Sequence, residues 1–166
     1  NGVSTDDESG YSVSGAGDVN GDGKDEYVIA THDFGVVAVY SPATDGGEAQ
    51  VVELDKKADT FVHEIEIGDI DGDGKLEFFA TPSDRNKANV SQHGEVVMYK
   101  WDGTTYARSI VDPGKGTHAK EILAADIDGD GKTEIFSVQE AILENKKMVK
   151  PVTIRQYTQN NEGGFS

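Results

Sequence analysis

The chain repeats one nine-residue stretch three times, first as Asp18-Val19-Asn20-Gly21-Asp22-Gly23-Lys24-Asp25-Glu26. The second copy spans residues 69–77 and the third spans residues 126–134, and we call the copies loops 1, 2 and 3. Side chains with oxygen atoms stand at positions 1, 3, 5 and 9 of each copy. The glycines between them allow the backbone to curve tightly, so that those oxygens are directed towards one point.

This set of donors predicts a calcium site in each loop, or about three ions in the chain. Hard oxygen ligands, with a main-chain carbonyl expected from position 7, suit calcium better than zinc or copper, which prefer Cys and His. The predicted ligands are Asp18, Asn20, Asp22, Lys24 and Glu26 in loop 1, Asp69, Asp71, Asp73, Lys75 and Glu77 in loop 2, and Asp126, Asp128, Asp130, Lys132 and Glu134 in loop 3.

Three other interpretations of the loops are less consistent with the sequence. An EF-hand requires Glu at position 12, where this chain has Ile29, Ala80 and Ser137. A phosphate-binding loop would begin with Gly, but loop 3 begins with Asp126, and its carboxylates would repel a phosphate. An acidic surface turn without an ion could explain one copy, but it explains three identically spaced copies poorly.

Short apolar runs on both sides of each loop predict two β-strands joined by the loop. Further runs predict a third strand in each unit and a fourth strand in the first two units. The fold class is therefore all-β, with about three propeller blades of four antiparallel strands. The predicted strands cover residues 11–15, 27–30, 36–40 and 50–54, then 64–68, 78–80, 95–101 and 106–111, then 121–125, 135–137 and 152–157.

The spacing of the loops supports β-propeller blades, because Asp18, Asp69 and Asp126 are 51 and 57 residues apart. The predicted units are residues 10–55, 61–112 and 117–166, and the last is incomplete, with Phe165 at the start of its fourth strand. A closed propeller has about four to eight blades. We therefore expect part of a larger propeller, or two copies that form a ring of about six blades.

The loops and the strands beside them resemble those of a known family. The stretch from Gly10 to Gly23 resembles the FG-GAP repeat of integrin α-subunit propellers, and the second and third units resemble the related VCBS-type repeats of surface proteins. One departure is Ser9-Gly10, which stands where the family has Phe-Gly. The resemblance implies adhesion, protein recognition or assembly on a surface, with a protein or glycan of a cell surface or matrix as the partner.

Composition indicates the location and excludes some partners. The net charge of −16 argues against binding to nucleic acid or to an anionic membrane, which both require clustered Lys and Arg. No apolar run approaches the ~20 residues that span a bilayer. The chain has no cysteine, so calcium would take the supporting role of disulfides. We expect a secreted or cell-surface protein.

Motifs for catalysis are incomplete, so the chain by itself is expected not to be an enzyme. The stretch His63-Glu64-Ile65-Glu66-Ile67 lacks the second His of a zinc protease, and residues 10–14 end in Ser14 where a nucleophile elbow needs Gly. The alternative is a lectin-like propeller, or the propeller part of a polysaccharide-degrading enzyme. Glu64, Glu66 and Trp101 are its candidate residues, although packing or solvation explains them more simply.

Two polar segments are the predicted contact surfaces at the rim, because connections vary most in propellers. They are residues 81–94, which include the sequon at Asn89, and residues 139–151, which include Lys146, Lys147 and Lys150. The units are predicted to pack face to face through apolar residues of the strands beside the loops. These residues are Ile65, Ile67, Phe78, Ile122, Leu123 and Phe136.

Overall fold

The computed structural model describes residues 12–31, 34–43, 46–85, 92–160 and 163–166, except for the side chain of residue 12. These residues form two four-stranded sheets, one three-stranded sheet and one separate hairpin, and they contain no helix. Within the same residues there is accordingly no helical segment that could cross a membrane. The predicted all-β class is confirmed.

Sheet 1 follows the predicted first unit, with neighbouring strands antiparallel and in chain order. Loop 1 joins its first two strands, so that Gly17 pairs with Glu26. Tyr27 pairs with Tyr40 across the second and third strands. The strands are β1 (Ser12–Gly17), β2 (Glu26–Ala30), β3 (Val37–Ser41) and β4 (Gln50–Asp55).

Sheet 2 repeats this arrangement with longer strands. Loop 2 joins the first two strands, and Gly68 pairs with Glu77 as Gly17 pairs with Glu26 in sheet 1. The equivalent of the Tyr27–Tyr40 pair is Phe78 with Tyr99. The strands are β5 (Thr60–Gly68), β6 (Glu77–Asp84), β7 (Val96–Trp101) and β8 (Tyr106–Asp112).

Sheet 3 has three strands, in the order β9, β10, β13, with loop 3 between the first two. The start of a fourth strand is present as predicted, because Phe165 makes an antiparallel bridge with Gln159. A hairpin of β11 and β12 lies between β10 and β13 along the chain. The strands are β9 (Ala119–Ala125), β10 (Glu134–Gln139), β11 (Ile142–Glu144), β12 (Lys147–Lys150) and β13 (Thr153–Tyr157).

The described parts of the two predicted rim segments contain more β-strand than the sequence indicated. Segment 81–94 begins as strand, because β6 continues to Asp84 and Ser83 bridges to Gly94; its residues 86–91, with the predicted sequon, lie outside the described residues. Segment 139–151 was predicted to be a loop, and this is wrong, since it contains the β11–β12 hairpin. Its turn has Asn145 and Lys146 in the left-handed conformation that two-residue hairpins require.

The sheets stack face to face, with one apolar cluster between sheets 1 and 2 and a second between sheets 2 and 3. The first cluster includes Val28, Val39, Phe78 and Tyr99. The second includes Phe79, Met98, Ile122, Ile135 and Tyr157. Successive residues of β6 and β7 thus face opposite neighbours, because side chains alternate along a strand.

The predicted packing residues divide into two groups. Ile65, Phe78 and Ile122 are buried between sheets, and Ile67 packs at the edge of the first cluster. Leu123 was wrongly predicted to be in the core, since it is 52% exposed. It pairs with Phe136, which is only half-buried, on the outward face of sheet 3. Strand alternation allows Ile122 to face sheet 2 but turns its neighbour Leu123 away.

Candidate metal sites

Aspartate side chains of each loop accept hydrogen bonds from the main chain of the same loop and so hold its conformation. The Asp at position 1 accepts main-chain N–H bonds from the glycine at position 6, at 2.8 Å for Asp18, 2.8 Å for Asp69 and 3.0 Å for Asp126. The glycines at positions 4 and 6 adopt positive φ angles, 77° and 88° in loop 1. The three loops therefore have the same backbone conformation, and any residue other than glycine at positions 4 and 6 would be strained in it.

Neighbouring loops contact each other at one end of the stacked sheets. The N–H of Thr133 in loop 3 donates to the carbonyl of Asp69 in loop 2 at 2.8 Å. A side chain at Gly68 would lie 2.5 Å from the methyl group of Thr133, so only glycine permits this approach. A side chain at Gly17, beside loop 1, would likewise lie 2.8 Å from Leu76 of loop 2. The three loops consequently form a row.

Position 9 carries a buried carboxylate in every loop. Glu26 and Glu77 are 0% exposed and Glu134 is 5% exposed. One oxygen of Glu77 accepts the N–H of Ile70 at 3.2 Å, and one oxygen of Glu134 accepts the N–H of Ile127 at 2.9 Å. A buried carboxylate is costly unless it is paired with a positive charge or well hydrogen-bonded.

Glu26 in loop 1 is the least satisfied of the three carboxylates. The main-chain N–H groups of Val19 and Asn20 approach it and favour its charged form, but neither of its oxygens receives a well-formed hydrogen bond among the described residues. Burial raises the pKa of Glu26, and the nearby charges of Asp22 and Asp18 raise it further. A cation between these groups would remove both penalties, so the donor set of loop 1 fits a metal ion.

Loops 2 and 3 each bring three carboxylates together. Oxygens of Asp69, Asp71 and Glu77 lie within 4.8 Å of one another, and so do those of the equivalent residues of loop 3. Loop 1 has the amide oxygen of Asn20 at the third position. Each of these two clusters could hold a metal ion. The residues of the loop 3 cluster are Asp126, Asp128 and Glu134.

The aspartates at position 5 lie outside these three-residue clusters. One oxygen of each accepts the N–H of the lysine at position 7, at 3.0 Å for Asp22, 2.8 Å for Asp73 and 2.8 Å for Asp130. These bonds orient the backbone at position 7. Ligation by these aspartates, and by the carbonyls of Lys24, Lys75 and Lys132, stays a prediction.

Loop 2 contains a positive charge that the sequence analysis missed. The ammonium group of Lys100, from β7, lies 2.5 Å from Asp71, 3.0 Å from Asp73 and 2.9 Å from Glu77. Burial opposes the charge of Lys100, but its hydrogen bonds to these carboxylates outweigh burial and raise its pKa. Burial also raises the pKa of Glu77, against the opposing effect of Lys100.

Tyr106 of β8 is a second neighbour that the sequence did not indicate, and it lies near loop 1. Its hydroxyl is buried and has no hydrogen-bond partner among the described residues. Burial raises the pKa of Tyr106, and so do the charges of Glu26, Asp22 and Asp18. The only sequence signal for Tyr106 was its equivalence to Phe165 at the start of a fourth strand.

The residues considered for sugar binding or catalysis lie within the sheets or at the interfaces between them. Trp101 packs against Tyr106, with ring centroids 4.9 Å apart, at the edge of the first apolar cluster. Burial raises the pKa of Glu64, as do the charges of Glu121 and Glu66. His63 stacks on the buried His118 of the neighbouring sheet at 5.3 Å. His63 is thus placed at a packing interface between sheets.

Aspartates at strand ends also connect the sheets, which the sequence analysis did not predict. Asp55 at the end of β4 accepts the hydroxyl of Tyr99 from sheet 2 at 2.5 Å. Asp112 at the end of β8 accepts the hydroxyl of Tyr157 from sheet 3, also at 2.5 Å. Arg155 pairs with Asp112, and these contacts lower the pKa of Asp112 although burial opposes this. The same contact therefore occurs at both described interfaces.

Comparison with known proteins agrees with this architecture. Two enzymes of Bacillus subtilis (strain 168) are similar to part of the chain, each over an 82-residue alignment that covers 44% of this chain and 13% of the enzyme. They are the rhamnogalacturonan endolyase YesW, 35% identical, and the rhamnogalacturonan exolyase YesX, 38% identical. The chain thus spans a small part of these relatives. A family model described as FG-GAP-like repeat matches residues 18–80, so this part of the chain is similar to that repeat.

Proposed function

We propose that the chain is a calcium-stabilised segment of a β-propeller that acts by binding a partner outside the cell. The observation that carries this proposal is the buried carboxylate of Glu26, which the N–H groups of Val19 and Asn20 approach without a well-formed hydrogen bond among the described residues, and which faces two further carboxylates. Such a group is expected where a cation completes the structure.

Calcium is the ion that the donors favour. The loops offer carboxylate, amide and main-chain oxygens, and none of their residues is Cys or His. Oxygen-only sites of this kind select calcium or magnesium, and the larger number of oxygens in a curved flexible loop favours calcium. When bound, the ion would neutralise the loop carboxylates and hold the ends of two strands together.

Melting with and without calcium tests this proposal. At a free calcium concentration about tenfold above the dissociation constant, each ion adds roughly 1.4 kcal/mol to the free energy of unfolding. Three ions would therefore raise the melting temperature by roughly 8–17 °C for a domain of this size. The measurement is calorimetry of the same protein in calcium and in chelator, with magnesium as the control cation. An unchanged melting temperature in calcium would contradict the proposal.

The β11–β12 hairpin is the part of the described surface best suited to contact a partner. It presents exposed apolar side chains at Met148 and Val149 beside the exposed Lys146, Lys147 and Lys150. In a protein of net charge −16, a cluster of lysines favours an anionic protein or glycan. Residues 86–91, from the other predicted contact segment, lie outside the described part of the chain.

A second function is favoured by the two relatives, which are both rhamnogalacturonan lyases. In this case the segment would support the binding of an acidic polysaccharide in a larger enzyme, and catalysis would need residues from elsewhere. Calorimetry with rhamnogalacturonan oligosaccharides, together with a lyase assay of the chain, separates the two functions. Saturable oligosaccharide binding, reduced by Lys147→Glu but not by Lys56→Glu at the exposed residue that follows β4, would favour the polysaccharide. Capture of a defined surface protein without oligosaccharide binding would favour adhesion.

A further inference from the structure

Loop 2 differs from the other two loops in its electrostatic environment. The carboxylates of Asp71 and Glu77, which belong to its three-residue cluster, are already in contact with the ammonium group of Lys100. That group also lies 3.0 Å from Asp73, at position 5 of the loop. An ammonium and a divalent ion cannot both occupy the space between these oxygens, because their charges repel at short distance.

The position of Lys100 is specific to sheet 2. Tyr99 pairs with Phe78, as Tyr40 pairs with Tyr27 in sheet 1 and Tyr157 pairs with Ile135 in sheet 3. The residue after the tyrosine is therefore equivalent in the three sheets. It is Ser41 in sheet 1, Lys100 in sheet 2 and Thr158 in sheet 3. The neutral hydroxyls of the other two sheets could not neutralise a loop.

The buried glutamates show the consequence of this difference. Glu77 is fully buried but lies 2.9 Å from the Lys100 ammonium. The equally buried Glu26 of loop 1 is approached by the N–H groups of Val19 and Asn20 without a well-formed hydrogen bond among the described residues, and it lies near the like charges of Asp22 and Asp18. Lys132 lines the same opening beside Asp71 and Asp73 and adds a second positive side chain there. Loop 2 is thus the one whose buried charge the protein already balances.

We propose that Lys100 is a built-in counter-ion that closes loop 2 to calcium, so that the chain binds divalent ions in loops 1 and 3 only. The inference rests on the calcium binding proposed above, and it changes the expected number of ions from about three to two. It also assigns Lys100 the structural role in sheet 2 that an ion has in the neighbouring sheets.

Counting bound calcium tests the proposal. The variant Lys100→Ser introduces the residue found at the equivalent position of sheet 1, and equilibrium dialysis with elemental analysis gives the number of ions. We expect two ions for the unchanged protein and three for Lys100→Ser. The control Lys120→Ser should keep two ions, because Lys120 is as exposed as Lys100, 30% against 31%, but pairs with Glu140 away from the loops.

The outcomes distinguish this inference from the proposed function. Three ions in both the unchanged protein and Lys100→Ser would overturn the role of Lys100 while leaving calcium binding intact. No ion in the unchanged protein but one in Lys100→Ser would support the role of Lys100 and contradict calcium in loops 1 and 3. No ion in either protein would overturn both.

Folding of the variant is the second readout. Without Lys100, Glu77 lacks a counter-charge, so Lys100→Ser should melt at a lower temperature than the unchanged protein in chelator and regain this loss in calcium. Lys100→Met preserves the apolar stem of the side chain and should behave in the same way. If both variants stay unfolded in saturating calcium, the ion does not replace the ammonium group and the proposal is wrong.

Discussion

At the scale of single residues, the buried glutamate at position 9 is the group on which each loop depends. Three nearly identical loops place it in three environments: Glu26 near the main chain of Val19 and Asn20 without a well-formed hydrogen bond among the described residues, Glu77 beside Lys100, and Glu134 bonded to the main chain of Ile127. Local sequence positions the carboxylate, but the neighbouring strand determines how its charge is balanced.

Replacement of Glu26 by Gln should have opposite effects with and without calcium. In chelator, Glu26→Gln should melt at a higher temperature, because it removes a buried negative charge that receives no well-formed hydrogen bond in the described structure and lies near the charges of Asp22 and Asp18. In calcium, it should bind one ion fewer and melt at a lower temperature than the unchanged protein. Calorimetry in both buffers measures this, with the exposed Glu53→Gln as the control. Destabilisation in both buffers would contradict it.

At the scale of elements, the sheets are connected by polar contacts as well as by apolar packing. Asp112 accepts a hydrogen bond from the hydroxyl of Tyr157, and this hydroxyl also contacts that of Ser137. The side-chain amide of Gln139 donates a further hydrogen bond to Ser137. The network lies between the end of β8 and strands β10 and β13. It therefore links sheets 2 and 3 beside their apolar cluster.

Removal of one hydroxyl from this network should destabilise the whole protein. Tyr157→Phe leaves the buried Asp112 and Ser137 without one partner, which typically costs about 1–3 kcal/mol. Urea unfolding of Tyr157→Phe should show this loss with an unchanged dependence on urea concentration. Tyr27→Phe, at an exposed tyrosine, is the control and should change the stability by less. Equal stability of the two variants would contradict the role of the network.

The stacked His63 and His118 predict a dependence of stability on pH at the same interface. Burial lowers the pKa of His118, as does the charge of Lys120, while Glu140 opposes them. Because the folded pKa is depressed, the contribution to stability is present above the unfolded value of about 6.5 and is lost as the pH falls through the folded pKa. Acidification should therefore destabilise the protein.

The variant His118→Phe preserves a stacked ring but cannot take up a proton. In calcium-free buffer, its melting temperature should fall less than that of the unchanged protein between about pH 7 and pH 5. His93→Gln, at an exposed histidine, should follow the unchanged protein. Identical pH profiles for all three proteins would contradict the assignment to His118.

At the scale of the whole molecule, the outward faces of sheets 1 and 3 continue the pattern of the internal interfaces. Tyr27 and Tyr40 of sheet 1, 6.1 Å apart, are equivalent to the buried stacked pair Phe78 and Tyr99 of sheet 2. On sheet 3, Leu123 is 52% exposed and Ile154 is 74% exposed. Both terminal faces are therefore apolar surfaces of the kind that further sheets cover.

The chain by itself should consequently self-associate as its concentration rises. Sedimentation velocity should show an increasing mean mass, and Leu123→Lys should reduce it by placing a charge on the outward face of sheet 3. Ile110→Lys, at a similarly exposed residue of β8, is the control. A monomer at all concentrations, or an equal effect of the two substitutions, would contradict this prediction.

The sequence by itself determined the number of units, the strand–loop–strand order of each and the all-β class. It could do so because these features depend on local information: glycines at fixed positions, oxygen side chains beside them, and short apolar runs. Loop 3, for example, joins β9 to β10 as its flanking runs predicted. Local pattern could not predict which of the adjacent apolar residues Ile122 and Leu123 faces the core, because neighbouring side chains of a strand point to opposite faces.

Only the tertiary structure decided which residues complete the sites. Lys100 is 29 residues from Asp71, and Tyr157 is 45 residues from Asp112, so their contacts depend on sheet register and on the stacking of sheets. The β11–β12 hairpin was missed because its polar sequence has little apolar alternation. The loops are thus local in origin, but the charge that balances Glu77 comes from β7, a strand whose position only the assembled sheet establishes.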